Sequence, residues 1–407
     1  MVKLSRELNL WQVTVAGVGI ILGAGIYALI GVAAAGAGNA IWLAFLISAI
    51  VAAFSGLSYA ELTSMFKGDA AEYDYIKKAF NKKLAFFVSM MILAAGMVSA
   101  ATVSLGFAGY FIKIVGISTI VAALGLIVLM TLINFTGIKE SAWFNTVSTF
   151  IEFGGLILVI YLGVKNWGTV NLMEMPTGLP GVFSTAALVF FAYMGFESII
   201  KLREETKNPE KNIPLALIYS IIITSIVYVL VAISAVSIIP WGELAGSTAP
   251  LATVVAHSMG PIAFIIIGIV ALFSTANTVL ITLVTNSRMI YGMAKQKTLP
   301  KALASVHKRT QTPWIAILLF SAVTMLFVFI DDIEFVANLT NLFLFATFAI
   351  VNLSMMVLRY KMKNKKRAFR CPVNIGEFNV IAFLGILSSV GMFVLVVLNL
   401  LGIQTIF

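Results

Sequence analysis

Long apolar runs alternate with short polar segments along almost the whole chain. There are about eleven runs, and each is close to the ~20 residues that a helix needs to cross a bilayer. We number them span 1 to span 11, at residues 10–37, 40–66, 84–112, 118–135, 145–164, 182–202, 213–238, 262–288, 313–330, 337–358 and 379–401. The pattern predicts an all-α polytopic membrane protein that forms one transmembrane domain over residues 1–407. In the stretch Trp241–Pro261 the helix-forming part, between Pro250 and Gly260, is too short to cross, and we expect an external helical loop on the surface there.

The composition agrees with this class. Of 407 residues, 60% are hydrophobic and 11% are charged, whereas soluble domains have about 45–50% apolar and about 25% charged residues. The first apolar run is too long for the hydrophobic region of a signal peptide, so we expect no cleaved signal. A single cysteine, Cys371, excludes a disulfide within the chain and a thiolate metal cluster.

The basic residues behind the net charge of +10 are distributed unequally between the two sides of the membrane. With a cytoplasmic N-terminus, 25 of the 27 Lys and Arg residues lie inside, and only Lys113 and Lys165 lie outside. This predicts a multi-pass protein of the cell membrane with a cytoplasmic N-terminus and excludes a nucleic-acid partner. The basic loop Lys361–Arg370 is a candidate contact for anionic lipid headgroups. The expected partners are the lipid bilayer and a small-molecule substrate, and a homo-oligomer is left open.

Two spans are interrupted at corresponding positions. Span 1 contains Gly23-Ala-Gly25, and span 6 contains the weaker interruption Tyr193-Met-Gly195. Spans that lie five apart enter the membrane in opposite directions, so such paired breaks indicate an inverted-repeat secondary transporter with discontinuous helices 1 and 6. Repeat one covers spans 1–5 (about 10–164) and repeat two covers spans 6–10 (about 182–358), with span 11 (about 379–401) as an extra helix.

A break in a membrane helix exposes backbone groups that can bind a ligand. Non-helical backbone at this depth is tolerated only where it is buried in protein or lines a cavity. A half-helix that starts near Gly25 presents free amides that suit a carboxylate, and the carbonyl ends suit an ammonium group, so a zwitterionic amino acid fits. The alternative is close packing, because Gly19-Ile-Ile-Leu-Gly23 is a GxxxG motif. On glycine spacing alone, packing is favoured.

Three stretches together resemble the amino acid–polyamine–organocation superfamily of permeases. They are Gly23-Ala-Gly-Ile-Tyr27, Phe190–Glu197 with its continuation to Pro214, and Ser287–Lys295 followed by Leu299-Pro300 and Thr312-Pro313. The resemblance covers nearly the whole chain. It implies the five-plus-five inverted-repeat fold that is also seen in sodium-coupled neurotransmitter symporters.

The resemblance also implies a substrate site. The amides of Ala24 and Gly25 would bind the substrate carboxylate, Gly23 would allow close approach, and the amine would meet main-chain carbonyls beside the two breaks. Phe191 resembles an aromatic gate that closes over substrate, and Tyr193 is a weaker candidate for that role. The expected substrate-binding residues are Ile21, Gly23, Ala24, Gly25, Phe191, Tyr193, Met194 and Gly195.

Glu152 is the main candidate for ion coupling. It follows Asn145 by seven residues, which places it about 10 Å inside span 5. An ionised carboxylate there costs about 2.5–3.5 kcal/mol, so it should face the bundle interior. Some proton-coupled family members carry a lysine in this span. Three interpretations stay open: a proton carrier, a sodium ligand together with the hydroxyls of Ser274, Thr275 and Thr278, or a structural carboxyl bonded to a neighbouring helix.

Two further acids lie near the spans' inner halves. Glu197 follows the span 6 break, where it is either a second proton-linked or gating carboxyl or a fixed acceptor for free backbone N–H groups. Glu61, near the inner end of span 2, is interpreted as a structural residue of a cytoplasmic gate.

The function predicted is secondary active transport of an amino acid by alternating access, as proton-coupled uptake of neutral amino acids without a cofactor or bound metal. An enzyme is not expected, because His257 and His307 lie in loops and no aspartate lies at membrane depth. The alternatives are a symporter driven by Na+, an amino acid/polyamine exchanger and a non-transporting amino acid sensor. Residues expected to line the side-chain pocket in spans 3, 8 and 10 include Met97, Ser99, Asn277 and Asn338.

Overall fold

The computed structural model describes residues 8–66 and 71–402 of the chain. The N-terminal basic residues Lys3 and Arg6, which the orientation prediction uses, lie outside this range. The described chain is almost entirely helical. The spans comprise Leu10–Ile21 with Ala24–Ala37 (span 1), Ile41–Met65 (span 2), Lys82–Val115 (span 3), Thr119–Thr136 (span 4), Ile138–Gly163 (span 5), Gly178–Val189 with the 3₁₀ turns Phe190–Tyr193 and Phe196–Glu205 (span 6), Pro209–Ile238 (span 7), Pro261–Lys295 (span 8), Trp314–Val328 (span 9), Ile333–Lys361 (span 10) and Val380–Leu400 (span 11).

Nine segments of the described residues are long and apolar enough to cross a membrane. One of them, Ala24–Met65, turns at the 3₁₀ helix Gly38–Ala40 and so contains both the second half of span 1 and span 2. Two shorter apolar helices, Leu10–Ile21 and Trp314–Val328, complete the set. The prediction of an all-α polytopic membrane protein is confirmed.

Both predicted helix breaks are present. Span 1 stops being helical at Leu22, and Gly23 takes φ −40° and ψ −158° before the helix resumes at Ala24. The break in span 6 is larger than the sequence indicates, because the α-helix ends at Val189 and only 3₁₀ turns follow. Gly195 lies in that break with φ +113°, a conformation that side chains with a Cβ rarely adopt.

The connection between spans 7 and 8 is helical, as predicted, but it is not a surface layer. Its two helices, Trp241–Ala245 and Pro250–Met259, bury Leu244, Leu251 and Val254 completely. Gly31 in span 1 allows the carbonyl of Leu244 to approach, since a Cβ there would lie 3.0 Å from that oxygen. The apolar face of this connection therefore closes one end of the bundle.

The opposite end of the bundle carries most of the described lysines and arginines, and we call it the basic end. It includes the helix Ala71–Ala79, which packs against spans 3 and 10. It also includes a short antiparallel hairpin, Asn374–Ile375 paired with Phe378–Asn379, which was not predicted from the sequence. At the same end, Leu8 pairs with Thr206, so the segment before span 1 lies beside the end of span 6.

Candidate functional site

The two broken helices touch each other at their breaks. A Cβ on Gly25 would lie 2.4 Å from Cα of Ala192, so this glycine allows the backbones of spans 1 and 6 to meet. A Cβ on Gly195 would lie 2.9 Å from Cγ2 of Ile20. The residues predicted to form a substrate site are thus brought together. In this conformation Gly25 and Gly195 contact protein atoms of the other broken helix.

Tyr228 of span 7 bridges the two breaks. Its hydroxyl lies 2.7 Å from the carbonyl oxygen of Ile21 and 2.9 Å from that of Ala192, and these two acceptors share its single proton. The Ile21 carbonyl is one of those predicted to meet the substrate amine. Tyr228 was not predicted from the sequence. The available signal was a tyrosine in the middle of an apolar span, since a buried tyrosine hydroxyl usually has a partner.

The amide of Ala24 has a partner from span 8. It donates to Oγ1 of Thr278 over 3.0 Å, and the Thr278 hydroxyl in turn donates to the carbonyl of Ser274 over 3.0 Å. Gly23 permits this contact, because a Cβ at that position would lie 2.4 Å from the same Oγ1. A hydroxyl group therefore occupies the position where the sequence predicts a substrate carboxylate.

The remaining residues of the predicted substrate site lie on the span 6 side. Tyr193 is buried and donates its hydroxyl to the carbonyl of Phe45 over 3.0 Å. Phe191 is also buried, in a cluster that includes Ala24 and residues of spans 3, 8 and 10. Met194 continues the turn, since its amide donates to the carbonyl of Phe191 over 3.2 Å. Phe191 and Ala24 thus belong to one apolar cluster that joins the two breaks to the predicted pocket spans.

Several buried polar side chains on those spans have an atom without a hydrogen-bond partner among the described residues, and three of them lie next to the Phe191 cluster in sequence. These three are Ser99 (Oγ), Asn277 (Oδ1) and Asn338 (Oδ1). Each follows a member of the Phe191 cluster in sequence, and each was predicted to line the pocket. Met97 is partly buried and packs against the same cluster. Buried polar atoms normally have partners, so these groups are available to a ligand.

Glu152 is buried in span 5 with a bare carboxyl group. Its exposure is 0%, and neither carboxyl oxygen has a hydrogen-bond partner among the described residues. The hydroxyl of Ser274 lies beside this carboxyl group, and the hydroxyl also has no hydrogen-bond partner among the described residues. The main chain is better held, because the hydroxyl of Tyr27 in span 1 donates to the Glu152 carbonyl over 2.7 Å. This bond fixes Glu152 next to the second half of span 1, Ala24–Ala37.

The other residues of the predicted coupling site make separate contacts. The Thr275 hydroxyl donates to the carbonyl of Ala271 in its own helix over 2.7 Å. Of the three span 8 hydroxyls, Ser274 is the one that lies beside Glu152, while Thr278 holds the span 1 amide. Glu197 accepts the amide of Gly195 over 3.0 Å, which agrees with its interpretation as an acceptor that fixes the unwound segment.

A buried ionic network closes the basic end. Glu61 of span 2 accepts from Nε and Nη2 of Arg359 at 2.9 and 2.5 Å, and both side chains are fully buried. The amide of Cys371 donates to Oε2 of Glu61 over 2.7 Å, and Nε of Arg367 lies 3.1 Å from Oε1 of Glu61. Arg359 was counted with the basic cytoplasmic loop, but the structure places it inside the protein as the partner of Glu61, a contact 298 residues apart in sequence.

The other end of the bundle is tied by Glu174. One carboxyl oxygen accepts from Nδ2 of Asn39 at 2.9 Å, and the other accepts from Nε1 of Trp241 at 3.0 Å. Asn39 follows span 1 and Trp241 follows span 7. The breaks therefore lie between two ends, one held by the buried carboxylate of Glu61 and the other by the exposed carboxylate of Glu174.

The fold and the paired breaks define a polytopic membrane protein with discontinuous helices at its centre, and comparison with known proteins gives the family. The sequence profile of the amino acid permease family matches residues 8–405. The chain belongs to this family, within the amino acid–polyamine–organocation superfamily, and is a transporter of the membrane rather than an enzyme.

Several curated relatives match over most of the chain. The branched-chain amino acid permease BcaP of Bacillus subtilis is 30% identical over 91% of this chain and 84% of its own length. The methylthioribose transporter of the same organism is 27% identical over 91% of this chain and 85% of its own. Cationic amino acid transporter 1 of Arabidopsis thaliana is 26% identical over 88% of this chain and 63% of its own length.

Proposed function

We propose that the chain takes up neutral amino acids together with protons by alternating access. The substrate binds between the breaks of spans 1 and 6, where its carboxylate replaces the Thr278 hydroxyl on the Ala24 amide. Its amine replaces the Tyr228 hydroxyl on the carbonyl of Ile21. Each replacement exchanges one hydrogen bond for a charge-assisted one, which is stronger.

The observation that carries proton coupling is the environment of Glu152. A fully buried carboxylate without a partner costs several kcal/mol, so this conformation favours the form that keeps its proton. When the protein opens and water reaches span 5, the charged form regains its solvation. A carboxyl that gains and loses a proton as the protein opens and closes is suited to couple proton movement to transport.

Neutral substrates are supported by the groups available in the apolar cluster around Phe191. The unpartnered atoms of Ser99, Asn277 and Asn338 are neutral, and their neighbours are mainly alanine, valine and leucine. A charged side chain in this cluster would lack a counter-ion. The branched-chain specificity in the name of the Bacillus subtilis relative points the same way.

The proposal includes two structural elements. Spans 1–5 and spans 6–10 form inverted repeats, and their broken first helices move against the remaining spans during transport. The basic end lies in the cytoplasm, as the charge distribution predicts.

The test is uptake of single labelled amino acids into proteoliposomes with either an inward pH gradient or an inward sodium gradient. We expect leucine, isoleucine or valine to accumulate under the pH gradient alone and lysine to be excluded. If accumulation requires the sodium gradient, Na+ and not the proton is the coupling ion. Binding without counterflow of labelled substrate would make the protein a sensor.

A further inference from the structure

Six lysines lie on two neighbouring segments at the basic end, and we call them the lysine patch. Its members are Lys78, Lys82, Lys83, Lys363, Lys365 and Lys366. Lys78 lies in the helix Ala71–Ala79, the next two lysines begin span 3, and the last three follow span 10. All are exposed except Lys365, which is half-buried.

Contacts between distant parts of the sequence assemble the patch. Lys361, at the end of span 10, donates its ammonium group to the carbonyl of Ala79 over 2.7 Å, a contact between residues 282 positions apart. The ammonium of Lys365 lies 4.1 Å from the ring centroid of Phe66 at the end of span 2. Burial, and next the charges of Lys78 and Arg367, lower the pKa of Lys365. The two lysine-bearing segments are therefore close enough to repel each other.

The loop after span 10 turns its lysines outward. The guanidinium of Arg367 donates to the carbonyls of Met362 and Lys365, both over 3.3 Å, so the backbone wraps around this arginine. In the part of the chain that the structure describes, the ion pairs at this end join Glu61 or Glu377 to arginines and involve no lysine of the patch. The acid nearest in sequence, Asp74, is half-buried one turn before Lys78.

The position of the patch indicates which anion it meets. Spans 3 and 10 begin or end there, so the lysines lie at the level where a bilayer places its headgroup phosphates. The same loop exposes two apolar side chains, Val373 at 59% and Ile375 at 72%. Apolar side chains beside basic ones suit the boundary between headgroups and acyl chains.

We propose that the lysine patch binds the headgroup phosphate of an anionic phospholipid in the leaflet at the basic end. The phosphate relieves the repulsion among these lysines, for which the described residues provide no carboxylate partner. The lipid links the helix Ala71–Ala79 to the loop after span 10, and so holds together two segments that flank the Glu61–Arg359 network. This site is independent of the substrate site and of the transport proposal.

The test compares phosphatidylglycerol with phosphatidylcholine binding to the purified full chain in neutral detergent by native mass spectrometry. The patch variant is Lys78→Gln/Lys363→Gln/Lys366→Gln, which changes only exposed lysines. The matched control is Lys297→Gln/Lys301→Gln/Lys308→Gln, which removes three exposed lysines between spans 8 and 9. Melting temperatures of both variants report whether each remains folded.

We expect the patch variant to bind phosphatidylglycerol about 100-fold more weakly than the wild type, and the control to change by less than about threefold. The preference for phosphatidylglycerol over phosphatidylcholine should also weaken as the salt concentration is raised. Equal losses in both variants, or no loss in the patch variant, would overturn the proposal. Displacement of the lipid by millimolar inorganic phosphate would instead indicate a site for free anions.

Discussion

The main-chain amide of Ala24 and the hydroxyl of Thr278 form a 3.0 Å hydrogen bond across the break of span 1. The amide is the group that a substrate carboxylate needs in the proposed site. The conformation described here is therefore one in which the protein satisfies its own binding groups. Substrate has to compete with Thr278 before it can bind.

Replacement of Thr278 by valine tests this competition. The valine variant leaves the Ala24 amide without its Thr278 partner in the conformation of this structure, which costs about 1–3 kcal/mol. We expect substrate to bind about 5- to 150-fold more tightly, because it no longer displaces a hydroxyl. Thr278→Ser keeps the hydroxyl and should bind like the wild type. Weaker binding by the valine variant alone would make Thr278 a ligand of the substrate or of a cation.

Gly25→Ala should prevent the two breaks from meeting. The new Cβ would lie 2.4 Å from the backbone of Ala192, and overpacking of this kind costs about 1–3 kcal/mol. We expect uptake to fall by about tenfold or more. Gly154→Ala is the matched control, because no atom lies within 4 Å of its added Cβ. If both variants transport equally well, the contact between Gly25 and Ala192 is not needed.

Glu61→Gln should destabilise the protein strongly. The substitution leaves the fully buried guanidinium of Arg359 without its carboxylate, and breaking a buried pair costs about 3–5 kcal/mol. Glu377→Gln breaks the pair of Glu377 with Arg370, which is more exposed than the Glu61–Arg359 pair, and should cost at most about 1 kcal/mol. Thermal melting in detergent measures both. A double variant, Glu61→Gln/Arg359→Gln, should recover part of the lost stability. Equal melting temperatures of Glu61→Gln and Glu377→Gln would contradict the assignment of Glu61 and Arg359 as a buried ion pair.

Cys371 reports whether the basic end stays closed. Burial, and next the charge of Glu61, raise the pKa of its thiol from 9.0 to about 12. At about pH 7.5 the thiolate fraction is then on the order of 10⁻⁵–10⁻⁴, and thiolate is the reactive form. We expect a maleimide to label the folded protein very slowly and the unfolded protein fast. Because higher pH increases the thiolate fraction, labelling should accelerate towards pH 10, and fast labelling at neutral pH would show an open loop.

The sequence predicted the parts of the fold that depend on local pattern. Apolar runs indicated the spans, and the segments Gly23-Ala-Gly25 and Tyr193-Met-Gly195 indicated the two breaks, because hydropathy and backbone freedom are properties of neighbouring residues. Glu152 was recognisable as an acid at membrane depth. The resemblance to a family then associated the two breaks with a substrate.

Contacts between distant residues were not predictable in this way. The Glu61–Arg359 pair and the Tyr228 bridge join side chains from separate spans, and no spacing in the sequence specifies which faces meet. Arg359 lies in a run of basic residues, where a buried position is not expected from composition. The two helices between spans 7 and 8 are individually too short to indicate how they pack.

The most direct test of proton coupling is the behaviour of Glu152→Gln in proteoliposomes, with Glu243→Gln as a control that removes an exposed carboxyl. Two rates are measured for each protein: accumulation of a labelled neutral amino acid driven by a pH gradient, and exchange of labelled for unlabelled substrate at equal pH. We expect Glu152→Gln to retain exchange and lose accumulation, because a permanently neutral side chain still permits closure but carries no proton. Accumulation by Glu152→Gln equal to that of the wild type would contradict the proposed role of Glu152.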